Sequence, residues 1–241
     1  MYSSTLAYST MQQLRLFIVL LFLCASQAVA QNSLGLSINY GDNLKFSPEF
    51  SSKLLNRKSL APTLVFTNQQ NFHSDFAALF SFEAGITGYH LVPVIDRERY
   101  PFVDYGILVT KAEVVPGKFF TIKDTKVFLG LGGGLSYHFL FSPLTGMSVI
   151  GASNGSAQTV FSAVIEAPGN GTFTTFAKLR IRVQLSERYD IGLQYYRHFQ
   201  SVLTGQFEFY EGTSTSSGSI KLHPQGLSVI ISYRLKSSQN D

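Results

Sequence analysis

TFTTFAKLRIRVQLSERYDIGLQYYRHF, residues 172–199, holds two runs of strict alternation joined by a polar turn. In the first run the odd positions Phe173, Ala177, Leu179, Ile181, Val183 and Leu185 are apolar, while Thr174, Lys178, Arg180, Arg182 and Gln184 stand between them. In the second, Tyr189, Ile191, Leu193, Tyr195 and Phe199 face one way against Asp190, Gly192, Gln194 and His198. A period of two means two strands, each with one apolar and one polar face. Residues paired across an antiparallel ladder share a face, so a two-residue turn, which would pair Leu185 with Arg188, is excluded. A three-residue loop of Ser186, Glu187 and Arg188 keeps the faces together. It sets Val183 opposite Ile191, Ile181 opposite Leu193 and Leu179 opposite Tyr195, and puts Asp190 diagonal to Arg182 within reach of an ion pair.

Each of these strands can supply the roughly 9 to 11 residues that a tilted strand needs to cross a bilayer. The start of the chain agrees. Behind Arg15 lies an apolar run ending in Ala28-Val29-Ala30, the pattern of a secretory signal cut before Gln31, with Met11 as an alternative start. A lipoprotein signal on Cys24 is disfavoured, because Leu23 stands where such signals carry a small residue. Removing residues 1–30 from the 241 leaves 211, without the single cysteine, so a disulfide-stapled domain is excluded. The net charge of +4 falls to +3 with the loss of Arg15 and is scattered, which argues against nucleic acid. Charged residues make up 14% of the chain, against about 25% in an average soluble domain, so part of this surface faces something other than water.

Further alternating runs are expected as strands at Leu34 to Tyr40, Thr63 to Thr67, Asp75 to Thr87, Val103 to Thr110, Lys126 to Leu140 and Leu227 to Leu235. Thr63 to Thr67 is the weakest, and Pro116-Gly117 reads as a turn. With the hairpin this makes eight strands. The connections 41–58, 89–101, 141–171 and 200–223 are longer than those between them, the asymmetry of an outer-membrane barrel. The fold expected is all-β, an eight-stranded antiparallel up-and-down transmembrane β-barrel over residues 31–235 with a polar tail at 236–241. Two alternatives stand beside it: ten strands, with Thr159 to Ile165 in an extra hairpin, and a soluble lipocalin-like barrel, which has the same period. Tyr189, Tyr195, Phe199 and Tyr233 near strand ends suit interfacial girdles, and Arg197, on the apolar face, can snorkel.

The segments VFLGLGGGLSY (127–137), RYDIGLQY (188–195) and LSVIISYRL (227–235) resemble strands of the PorT-like outer-membrane β-barrel family of Bacteroidetes. The resemblance covers nearly the whole mature chain at the level of pattern. It implies a cell outer membrane location, with outer-membrane lipid and lipopolysaccharide as surroundings, and, for some members, a protein partner in a secretion system. Such barrels usually end on an aromatic; here Tyr233 is followed by Arg234, Leu235 and the tail.

Lys178, Arg180 and Arg182 are candidate lumen residues, expected to pair with inward Glu83, Asp104 and Asp190, since buried charges need partners. An anion site is the lesser reading of the same row. Gly130 to Gly134 resembles a phosphate loop but lies inside a strand without the GxGxxG spacing, so it reads as backbone crowding. His73, His90, His138, His198 and His223 lack metal spacing, and no metal or cofactor is expected. Asn154 and Asn170 fit glycosylation patterns that matter only in a eukaryote. An eight-stranded barrel is just wide enough for side chains to fill it, which disfavours a pore. Three functions follow: a non-enzymatic barrel acting as a structural or interaction component, in secretion or cell-surface contact; an outer-membrane lipid-modifying hydrolase or protease, for which His198, Ser201 and Glu208 or Glu211 are the one cluster; and a soluble ligand-binding barrel.

Overall fold

The computed structural model describes residues 31–47, 50, 53–57, 59–72, 75–95, 98–99, 103–140, 144–153, 156–166, 171–211 and 213–235. The expected signal peptide and the polar tail at 236–241 lie outside the described residues. The strands are β1 (Gln31–Phe46), β2 (Leu54–Arg57), β3 (Ser59–Asn71), β4 (Phe76–Ile95), β5 (Glu98–Arg99), β6 (Val103–Ile122) and β7 (Thr125–Leu140). They continue with β8 (Leu144–Ser153), β9 (Ser156–Glu166), β10 (Gly171–Gln184), β11 (Tyr189–His198), β12 (Leu203–Glu211) and β13 (Ser214–Arg234).

Eight of these close a ring in the order β1-β3-β4-β6-β7-β10-β11-β13, and β13 pairs back onto β1. The β10–β11 hairpin has the register set by its alternation: Val183 opposite Ile191, Ile181 opposite Leu193, Leu179 opposite Tyr195. The Leu185 amide donates to the Tyr189 carbonyl at 2.9 Å, which closes the three-residue loop. Inside it, the Ser186 hydroxyl accepts from the amides of Arg188 (3.2 Å) and Tyr189 (3.1 Å).

The barrel is apolar outside and, apart from a small buried cluster of Ala77, Leu79, Val115 and Phe128 toward the short turns, polar inside. Leu131 is 68% exposed and Leu179 43%, whereas Arg180 keeps 1% and Glu83 none of its surface. A soluble calyx requires the reverse, because large aliphatic side chains on the outside of a water-soluble barrel would be left in water. The lipocalin-like alternative is therefore overturned: the outer band meets lipid. Aromatic pairs mark its edges, Tyr189 with Tyr233 at the short-turn end (5.4 Å between centroids) and Tyr137 with Phe173 toward the long-loop end (4.6 Å). Arg197 sits on the outer face opposite Ala177 and is exposed.

Several sequence expectations are corrected. Pro116-Gly117 is no turn; β6 runs through it, and the chain reverses at Lys123, whose φ is 52°, and Asp124. Proline is tolerated because its ring points outward, and between Val114 and Gly117 no residue of β6 is paired with β7, so no ladder donor is missed. β3 has 13 residues rather than five, and β4 reaches Ile95. The hairpin around Thr159 to Ile165 does form, as β8–β9, but stands outside the ring, so the barrel keeps eight strands.

That hairpin belongs to a second layer. β13 is 21 residues long, and its upper part, Ser214 to Leu222, leaves β11 and pairs with β12, which pairs with β9 and then β8. Val149, Phe161, Phe207, Phe209, Ile220 and Leu222 pack from this sheet onto Phe50, Leu54 and the inward Ile107 and Val109 of β6. Phe50 meets Phe207 edge-on (4.8 Å) and stacks on Phe209 (5.9 Å). The long-loop end therefore carries an apolar cap over the barrel mouth.

Candidate functional site: the barrel lumen

Three strands bring charge to the centre. β10 points Lys178, Arg180 and Arg182 inward; β4 and β6, paired so that Glu83 faces Lys111 and Ser81 faces Glu113, supply the carboxylates. Between them runs β7, and its inward positions there are Gly130, Gly132 and Gly134, paired with Arg180, Lys178 and Phe176 of β10. A Cβ at Gly132 would lie 2.1 Å from the Val114 carbonyl oxygen, and one at Gly134 would lie 2.0 Å from that of Ala112. The glycines let β6 close against β7 and leave the space across which the β10 side chains reach the next strands.

They reach far. Lys178 Nζ contacts Glu83 Oε1 at 2.8 Å and also pairs with Glu113. Arg180 Nη1 donates to Ser81 Oγ (3.0 Å) and lies 3.4 Å from Glu113 Oε1. Lys111 meets Glu83 Oε2 at 3.5 Å and lies over the Tyr196 ring, 4.1 Å from its centroid. Gln194 donates to Glu83 Oε1 at 3.1 Å. Nearer the short turns, Arg182 Nη2 contacts Asp190 Oδ2 at 2.8 Å, the diagonal contact set by the hairpin register. Arg234 holds the same carboxylate through both oxygens, Nε to Oδ2 at 2.9 Å and Nη2 to Oδ1.

The structure thus places Lys178, Arg180, Arg182, Glu83 and Asp190 in the lumen and in contact, in two clusters. Asp104 lies on β6 opposite His90, and its side chain is outside the described ones. Lys111, Glu113 and Arg234 also belong here and were not expected. On β6, Lys111 and Glu113 share the face of Ile107 and Val109, whose apolar side chains look lipid-facing in the sequence but turn inward into the cap core, whereas the even position of Arg234 on β13 marks it inward.

Above the charges, Ser136 Oγ is bonded to His138 Nε2 (2.7 Å) and to Thr174 Oγ1 (2.8 Å), and Thr174 Oγ1 to His198 Nδ1 (2.7 Å). No carboxylate orients either histidine among the contacts described. Glu208 is exposed on β12 and bonded to Tyr210, while His198 is buried against Thr174, so the His198, Ser201, Glu208 cluster is not assembled; the side chain of Glu211 lies outside the described ones. Among the described residues no group of three His, Cys, Asp or Glu could hold a metal ion.

Little space remains. The cavity beside His138, His198, Lys111 and Tyr196 has about 20 Å³, room for about one water. At the short-turn end a polar vestibule of about 580 Å³, edged by Asp75, Lys126 and Arg234, opens outward. Phe119, which lines it, packs against the buried apolar cluster of Ala77, Leu79, Val115 and Phe128.

No family model matches the chain, and no curated protein is similar to it in sequence. Among solved structures it is similar to the outer membrane protein OprG from Pseudomonas aeruginosa, at 11% identity over 86% of this chain and 95% of that one, with a TM-score of 0.46. It is similar also to Ail, the attachment invasion locus protein of Yersinia pestis (11% identity, 86% and 97% covered, TM-score 0.37). A third is Neisserial surface protein A (7%, 86% and 97%, 0.37). At these identities nothing about task follows.

Proposed function

We propose that the chain is a non-enzymatic barrel of the cell outer membrane that works as a structural or interaction component through the cap at its long-loop end. The observation that carries this is a lumen filled by paired charges with an apolar core above it, the cavity between the two beside His138, His198, Lys111 and Tyr196 being about 20 Å³. A solute path needs a continuous wet channel, and an eight-stranded ring has no room for one once its inward side chains are long and paired. The apolar outer band and the long-loop asymmetry support insertion with the cap outward and the short turns in the periplasm. Outer-membrane lipid and lipopolysaccharide then surround the wall. The resemblance of 127–137, 188–195 and 227–235 to PorT-like strands supports a role beside a protein-secretion system or in cell-surface contact.

The test has two parts. Purified barrel in planar bilayers should show no steady conductance; stable open channels would overturn the closed-lumen reading. In cells the protein should fractionate with the outer membrane and migrate differently in boiled and unboiled gels. A monomer soluble without detergent would overturn the location.

A further inference from the structure

Closing the ring removes every sheet edge from the barrel, but the cap sheet ends on β8. Among the described residues β8 pairs with β9 on one side and with no strand on the other. An edge of ten residues presents unpaired amides and carbonyls, and proteins usually blunt such edges with lysine, proline or bulges. The sequence LTGMSVIGAS (144–153) has no charge and no proline, and its one irregularity is a register shift between Val149 and Ile150. Ile150 is 65% exposed on the outer side, while Val149 is buried in the cap core.

We propose that β8 is a docking edge that takes an extended, uncharged segment of another protein as an added strand. Main-chain hydrogen bonds supply the affinity in this mode, and alternate side-chain pockets supply the selectivity. Here an inward residue of the added strand would lie beside Val149 and extend the core of Phe161 and Phe209, and an outward one would lie beside Ile150. The absence of charge along β8 selects a neutral partner strand, because a charged residue would find no counter-ion beside it. A second copy is the lesser occupant: β8 against β8 offers ten residues a side, where stable protein interfaces use about 20–30. The inference rests on the outward placement of the cap only for where the partner comes from.

The probe is a fluorescein-labelled synthetic peptide with the uncharged part of β9, SAQTVFSAVI (156–165), a strand that already pairs with β8. It is added to the full chain, carrying Cys24→Ser, folded in nanodiscs. Saturable binding is expected, lost when prolines replace two alternate residues of the peptide and weakened about tenfold or more by Ile150→Lys. A disulfide across the paired positions 148 and 162, made by Ser148→Cys with Ser162→Cys, should leave binding intact, because the free edge is untouched. No saturable binding, indifference to Ile150→Lys or to the prolines, or loss on locking the hairpin would each overturn the proposal. So would barrels that dimerise without peptide and cease to do so with Ile150→Lys. Boiled and unboiled migration of each variant reports folding separately, and membrane fractionation reports the location separately.

Discussion

The lumen and the cap are neighbours built on opposite rules. Among the described residues of the lumen, five cations, Lys111, Lys178, Arg180, Arg182 and Arg234, are buried against the three carboxylates Glu83, Glu113 and Asp190. The cap above is held by aromatic and aliphatic packing, with its polar residues outside. The difference follows from what lies behind each wall. Lipid rewards an apolar exterior and gives no reason to put apolar groups inside, so polar side chains collect in the lumen and must satisfy one another. The cap has water outside and folds like a soluble sandwich. Damage to the first should be electrostatic and global; damage to the second should be volumetric and local.

The largest effect that would test this is steric. Gly132→Val would put a branched side chain where even a Cβ lies 2.1 Å from the Val114 carbonyl oxygen, and the barrel should fail to reach its heat-modifiable form in refolding gels. Next, Glu83→Ala leaves Lys178 and Lys111 without their shared partner, and urea unfolding followed by far-UV circular dichroism should show a loss of about 3–5 kcal/mol. Phe207→Ala in the cap should cost a similar amount, about 3–5 kcal/mol, but only locally. Proteolysis within residues 144–166 and 203–222 should accelerate while unboiled migration stays native. A barrel that unfolds with its cap would break the comparison.

Smaller effects sharpen it. Asp190→Ala should cost more than Arg182→Ala, since one carboxylate serves two guanidinium groups. Reversing both, Arg182→Asp with Asp190→Arg, should show a coupling of about 0.5–3 kcal/mol rather than additive damage. The smallest change is expected at the lipid edge, where Lys118 lies 5.4 Å from the Phe76 ring centroid and 5.7 Å from that of Phe120. Lys118→Ala should lower the free energy of unfolding by about 0.5–1 kcal/mol, read from urea unfolding.

The lipid-facing wall was legible in the sequence because lipid imposes a period of two on every strand that crosses it. Leu179, Ile181, Leu193 and Tyr195 declared their face, and with it the inward row of Lys178, Arg180 and Arg182. Above the membrane that constraint ends. The start of β13, STSSGSIKLHPQG (214–226), and β8 carry too few alternating apolar residues to read as strands, so apart from the hairpin around Thr159 to Ile165 the cap reads as loops. The carboxylate partners are only half legible: an up-and-down order says which strands lie near β10, but the apolar Ile107 and Val109 make the inward face of β6 read as its lipid face. Glu113 escapes the sequence reading because the expected strand stops at Thr110 and because its face is the one carrying Ile107 and Val109.

The three inward glycines of β7 also bear on the order of assembly. Because β7 contributes no side chain of its own at those positions, Glu83, Lys111 and Glu113 stay unbalanced until β10 arrives, and Lys178 and Glu83 are 95 residues apart in the chain. The seam closes later still, with Ser228 bonded to Asn39 across 189 residues. Contacts of such sequence separation form slowly. A chain inserted only through β7 therefore holds two carboxylates against one ammonium in its half-built interior, and the arrival of the β10 cations marks the point at which the sheet can curl shut.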